Sequence, residues 1–134
     1  MTLGRRLDPA GLGPLARNAR AVAWWPQSAV LAQASAVWGH GGFGTTMGAL
    51  AAGLPQVVTP LFTFDQRINA RHVAAVGAGM GFEPGPTAIA DAAAALLPLL
   101  AEPGYTVRAK AVAASIAQLP PPAAAVDAAL NFIA

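Results

Sequence analysis

Ser35-Ala36-Val37-Trp38-Gly39-His40-Gly41-Gly42-Phe43-Gly44-Thr45-Thr46 is the stretch on which the fold turns. The apolar run Ser35 to Gly39 predicts a buried strand, the glycines at 41, 42 and 44 a tight turn, and Thr46 to Ala52 a helix closed by Gly53 at its C′ position. A strand that passes through glycines into a helix start has the makings of an anion site. The N–H groups of a first helical turn find no carbonyl within their own helix, and the helix dipole favours negative charge there. Glycines let the backbone approach a diphosphate closely and adopt positive φ. Thr45 and Thr46 add hydroxyls, and His40 a ring N–H. The glycines by themselves fit a purely structural βα turn with a packed histidine equally well.

Working outward, Ala19 to Trp25 reads as a strand stopped by Pro26, and Ser28 to Gln33 as a helical turn with Ser28 as N-cap. Gln56 to Thr59 predicts a third strand ended by Pro60, and Asp65 to Val76 a helix stopping at Gly77. Thr87 precedes a helix in which Ile89, Ala93, Leu96 and Leu100 recur at helical spacing and Pro98 predicts a bend. Tyr105, Ala109, Val112 and Ile116 mark a further helix. Pro120-Pro121-Pro122 reads as a stiff spacer before a terminal helix striped by Val126, Leu130 and Ile133, and residues 1–17 as an irregular lead-in. Strands alternating with helices predict an α/β fold, a Rossmann-like parallel sheet flanked by helices. Three strands fall short of the ~5–6 of a typical sheet, so the architecture reads as truncated on its N-terminal side.

At 134 residues the chain is one domain, 55% hydrophobic and only 10% charged, against about 25% charged in ordinary soluble domains. So little charge predicts surface that another chain, or a second copy, covers through the exposed sheet. Eight Lys/Arg against six Asp/Glu leave a formal charge of +2, with the arginines dispersed, which argues against nucleic acid as a partner. Without cysteine there are no disulfides or thiolate metal sites, and no other metal-ligand spacing is present. The basic pair Arg5-Arg6 is followed by no apolar signal core, so the expected location is cytoplasmic. Residues 21–64 carry no Asp, Glu, Lys or Arg, yet Pro26, Gln27, the glycines around His40, Pro55 and Pro60 interrupt the run. A membrane helix needs ~20 continuous apolar residues, so no span is expected. Gly39 to Gly44 also matches G-x-G-x-x-G, with Asp65 about 20 residues further on, the string of a dinucleotide-binding oxidoreductase. That acid belongs at the end of the second strand, whereas Asp65 follows Pro60 and opens a helix.

Taken in order, Trp24-Trp25-Pro26-Gln27, then His40 to Thr46, Gly53-Leu54-Pro55, Pro60, Asp65-Gln66 and Asn69-Ala70 resemble the donor-binding signature of GT-B-fold family 1 glycosyltransferases of the bacterial antibiotic and macrolide kind. The specific motifs span residues 24–81; the helices over 87–133, with Pro103-Gly104-Tyr105, fit more loosely. The resemblance implies that residues 1–134 are part of a sugar-nucleotide-binding C-terminal domain. Its reaction would move a hexose from a UDP- or dTDP-sugar to a hydroxyl of a small hydrophobic acceptor, with inversion and with no metal or other cofactor. Trp24 falls where the family stacks an indole on the base, worth ~1–3 kcal/mol, and Gln27 where it contacts that base. His40, Gly42, Gly44 and Thr45 fall at the diphosphate, and Asp65 and Gln66 at the sugar hydroxyls. Read without the resemblance, Trp24 is a core residue and Asp65-Gln66 a helix cap and solvated turn. Two departures stand out. Gly48 replaces the glutamate that holds the ribose, and the acceptor domain with its catalytic histidine has no counterpart, His72 reading as packing. No catalytic residue is therefore assigned in this chain, and it is expected to bind donor without completing transfer alone. A non-catalytic helper that docks on a complete glycosyltransferase is the alternative.

Overall fold

Gln56, Val57 and Val58 form the central strand of the sheet and are all buried, and successive residues of a strand point to opposite faces. Val58 packs with Ala70 and Val73 on one face, and Val57 with Ala92 and Leu99 on the other. Buried on both sides, the strand must carry helices on both sides, as parallel sheets do.

A computed structural model describes residues 1–4 and 6–133; Arg5, within the expected lead-in, and Ala134 lie outside the described residues. The chain divides into two units, Met1–Ala34 and Ser35–Ala134. In the larger unit, β1 (Val37–Gly39), β2 (Gln56–Val58) and β3 (Gly79–Gly81) make a parallel sheet in the order β1-β2-β3. Val37 pairs with Gln56 and Gly39 with Val58, while Gln56 pairs with Gly79 and Val58 with Gly81. Helix α1 (Gln27–Leu31) belongs to the smaller unit; α2 (Phe43–Ala51) and α3 (Phe64–Ala75) connect the strands; α4 (Ala88–Ala101), α5 (Pro103–Ala117) and α6 (Pro122–Ile133) follow. The helices α2 and α3 end ahead of Gly53 and Gly77, both at φ 69°.

Leu50 of α2 packs with Ala78 and Ala109, joined by Met47, Val112 and Ile116, so α5 lies on α2. Leu99 anchors α4 against Val57, with Met80, Phe82 and Tyr105 around them. Helix α4 runs past Pro98 to Ala101, so the proline does not end it. Glu102 then caps α5, its carboxylate accepting from the Gly104 N–H at 3.1 Å. The expected proline spacer is already a helix start: Pro122 opens α6, where a missing N–H does no harm. Val126 and Leu130 of its predicted stripe are exposed, and the Ile133 side chain lies outside those described.

In the smaller unit, Asp8 accepts from the Ala10 N–H at 2.9 Å and starts a 3-10 turn over Pro9–Leu12. The strand expected over Ala19 to Trp25 is reduced to one parallel bridge, Thr2 with Val22. Among the described residues, the segment at Met1–Leu3 pairs with it there, through Leu3 N–H to Val22 O and Val22 N–H to Met1 O, both 3.0 Å. Helix α1 starts at Gln27 with Pro26 at the cap position, so Ser28 lies inside it and does not cap it. The Arg20 guanidinium sits 5.2 Å from the Trp25 ring centroid, a cation–π contact. Among the described residues, no helix is long and apolar enough to cross a membrane.

Candidate functional site

In parallel α/β sheets ligands gather beyond the carboxyl ends of the strands, and β1 ends at Gly39, directly before His40 and the glycine turn. Gly41 is the residue of this turn with positive φ, 87°. A Cβ there would lie 2.8 Å from the Gln66 carbonyl oxygen and 2.9 Å from Val58 Cγ1, so the turn sits tight against α3 and β2. Gly42 is the N-cap of α2, extended at φ −61° and ψ 135°, and no side chain caps the helix. Helix α2 therefore begins at Phe43, three residues earlier than expected, and Gly44 belongs to its first turn with ordinary helical backbone.

That shift alters which groups face the rim. The first turn of α2 carries the N–H groups of Phe43, Gly44 and Thr45, and Thr46 N–H bonds Gly42 O at 3.0 Å. Nothing lies within 4 Å of where a Gly44 Cβ would be, which leaves the helix start open on that side. His40 is exposed, and its Nε2 would be 2.6 Å from a Cβ at position 42, so the ring lies across Gly42. Thr45 packs its methyl toward Gly39. Thr46, expected to offer a hydroxyl, is instead buried, and its carbonyl accepts from Gln56 Nε2 at 3.1 Å. With the helix beginning at Phe43, position 46 faces the sheet.

The loop after β2 forms the neighbouring wall. Thr59 accepts from the Trp38 indole N–H at 2.9 Å. The Gln66 side-chain oxygen accepts from the Leu61 and Phe62 N–H groups at 2.9 and 3.3 Å, and the residue is only 4% exposed. This carboxamide organises a loop, and only its NH2 end could meet a sugar hydroxyl. Asp65, the second residue of α3, is exposed; the N-cap is Thr63, so Asp65 does not cap the helix. Asn69 Nδ2 donates to Gly41 O at 2.8 Å, a tie between the two walls that gives a role to a residue which the motif contained without one. Its signal was the i, i+3 spacing from Gln66, which puts both on one helix face.

The turn, Asp65 and Gln66 thus share one rim of the larger unit. Trp24 and Gln27 belong to the smaller unit, Trp24 55% exposed and Gln27 an exposed first residue of α1. His72 is exposed in the last turn of α3. A cleft of about 320 Å³ opens elsewhere, between the end of α3 at Val76 and Gly77 and the start of α5 at Tyr105 and Arg108, and none of the expected site residues lines it. Its one carboxylate, Glu102, is engaged in capping α5, whereas the open start of α2 suits an anion. Among the described residues, no group of three or more His, Cys, Asp or Glu is placed to hold a metal ion.

Residues 5–132 match the family described as "Erythromycin biosynthesis protein CIII-like, C-terminal domain". The elloramycin glycosyltransferase ElmGT of Streptomyces olivaceus is 46% identical over 116 residues, which are 87% of this chain and 28% of that protein. The structure of the calicheamicin glycosyltransferase CalG4 superposes with a TM-score of 0.81 at 34% identity, over 97% of this chain and 34% of that one. The Streptomyces sp. SF2575 glycosyltransferase SsfS6, complexed with thymidine diphosphate, gives 0.71 at 32% identity over 83% of this chain and 29% of that one. The chain therefore spans about a third of the length of the proteins it matches.

Proposed function

The chain belongs to the family of erythromycin biosynthesis protein CIII-like C-terminal domains, the sugar-donor-binding part of family 1 glycosyltransferases, and from that premise we propose that it binds a UDP- or dTDP-sugar at the rim built by the glycine turn and α3. The observation that carries the reading is the open start of α2 beside His40, with Asp65 on the adjoining wall. The diphosphate lies against the N–H groups of Phe43, Gly44 and Thr45, with Gly44 allowing close approach, Gly42 leaving room for the His40 ring, and that ring and the Thr45 hydroxyl as further donors. Asp65 accepts from sugar hydroxyls, and the Gln66 NH2 donates to one. Trp24 and Gln27, residues of the smaller unit, keep the base-stacking and base-contacting roles that the resemblance implies.

In the transfer, the bond from the anomeric carbon to the diphosphate oxygen breaks, a bond to the acceptor oxygen forms, and the acceptor proton leaves to a base. Negative charge grows on the diphosphate as the first bond lengthens, and prearranged donors stabilise it most when they need not reorganise. The acceptor is a hydroxyl of a small hydrophobic molecule, and its base is not a residue of this chain: the histidines are His40, at the phosphate, and His72, at the far end of α3. No metal enters this account. Calorimetry of the chain with dTDP and with UDP checks it: one of the two binds, with the same affinity after EDTA, and a transfer assay with the intact donor sugar gives no product. Absence of binding by both would remove the reading.

A second reading is favoured by Phe62, Leu97 and Phe132, which are 78%, 77% and 92% exposed: the chain is a non-catalytic partner that docks on a complete glycosyltransferase. It predicts co-elution with such an enzyme on size-exclusion chromatography and no nucleotide binding by the isolated chain.

A further inference from the structure

We infer that Asn69 is a positioning residue for the diphosphate turn, an inference that rests on the donor-binding reading above. Its side-chain amide donates to the Gly41 carbonyl at 2.8 Å, joining positions far apart in the chain. Gly41 is where the turn needs the left-handed backbone region, φ 87°, and where it presses on Gln66 and Val58. A single tether at that carbonyl fixes the orientation of the peptide between His40 and the start of α2.

The design of α3 explains why this residue is placed there. Gln66, Asn69, Ala70 and Val73 lie on one face of the helix. Ala70 and Val73 pack on Val58 and fasten α3 to β2. The polar end of the same stripe then reaches out to two loops: Gln66 to Leu61 and Phe62, and Asn69 to Gly41. One helix thus braces the turn that meets the diphosphate and the loop that leads to Asp65. A run of glycines has more conformations to lose than any other sequence. A cradle formed only a fraction of the time binds more weakly by that fraction. Asn69 raises the fraction without touching the ligand.

The test compares dTDP and thymidine by calorimetry on the full chain, since their difference isolates the diphosphate (UDP and uridine serve if UDP is the tighter ligand). Asn69→Ala removes the donor, and Asn69→Leu removes it at nearly constant shape and with no charge introduced. Both are expected to weaken dTDP by about five- to tenfold, the scale of one hydrogen bond, with thymidine unchanged within twofold. Amide exchange at His40, Gly41 and Gly42 should speed up in the unliganded variants while the core stays protected. Equal losses for dTDP and thymidine, or a dTDP affinity within twofold of wild type, would overturn the inference. Wild type itself supplies a readout that needs no variant to fold: the Asn69 side-chain NH2 should exchange far more slowly than that of the exposed Asn131, and equal rates would overturn it too. Tight wild-type dTDP binding with unaltered variants sinks this inference alone; dTDP binding no tighter than thymidine sinks the donor-binding reading and this inference with it.

Discussion

Gly41 and Gly44 look interchangeable in the sequence and are opposites in the structure. At Gly41 any side chain meets the Gln66 carbonyl and Val58, and its φ of 87° excludes most residues. Gly41→Ala is therefore expected to cost on the order of 1–3 kcal/mol of stability, read by thermal or denaturant unfolding, and to weaken dTDP binding. Gly44→Ala meets nothing within 4 Å and sits in helical backbone, where alanine is the better former by about 1 kcal/mol. It should stabilise α2, so only its effect on dTDP affinity reports how closely the diphosphate approaches there. His40→Ala is expected to weaken dTDP by roughly tenfold, the loss of one hydrogen bond to a charged ligand, with thymidine little altered. The order Gly-rich turn, Asp65, Gln66 was legible because chemistry restricts those residue types. The roles of Gln66 and Asn69 as braces were not, because a carboxamide looks the same in sequence whether its partner is a ligand or a backbone N–H.

Helices were easier to read than strands, and the reasons lie in their lengths. Long α3, α4 and α5 repeat their apolar positions often enough for the period to show. Each strand has three residues, too few to establish alternation. Gly79-Met80-Gly81 was not recognised as β3 because glycine disfavours strands. Here it is required: a Cβ at Gly79 would strike the Gln56 backbone and one at Gly81 the Ala70 carbonyl. Conversely, Ala19 to Trp25 has strand-like residues but, among the described residues, a single bridge from Val22 to Thr2. The two faces of β2 also make a prediction. Leu99 is fully buried against Val57 and Ala92, so Leu99→Ala should lose about 2–5 kcal/mol in denaturant unfolding. It lies on the face opposite to α3, so dTDP affinity should hold wherever the variant remains folded. An equal loss of affinity would mean that α4, and not α3, organises the rim.

On the scale of the whole chain, composition pointed to uncovered apolar surface, and the structure locates it. Phe43, Phe62 and Phe64 are exposed around the rim, and Leu130 and Phe132 on α6. Surfaces of this kind mark places where other molecules bind. The chain should self-associate with rising concentration in sedimentation velocity, and Phe132→Ser should shift the distribution toward monomer. A chain monomeric at all concentrations would contradict that expectation. In the proposed function, the glycine turn and the start of α3 together receive a nucleotide diphosphate. Titrating dTDP into the isotopically labelled chain, with the amide resonances followed by NMR, tests it most directly. His40 to Thr45 and Asp65-Gln66 are expected to shift together and saturate with one affinity. Shifts confined to the cleft at Val76, Tyr105 and Arg108, with the turn unmoved, would contradict it.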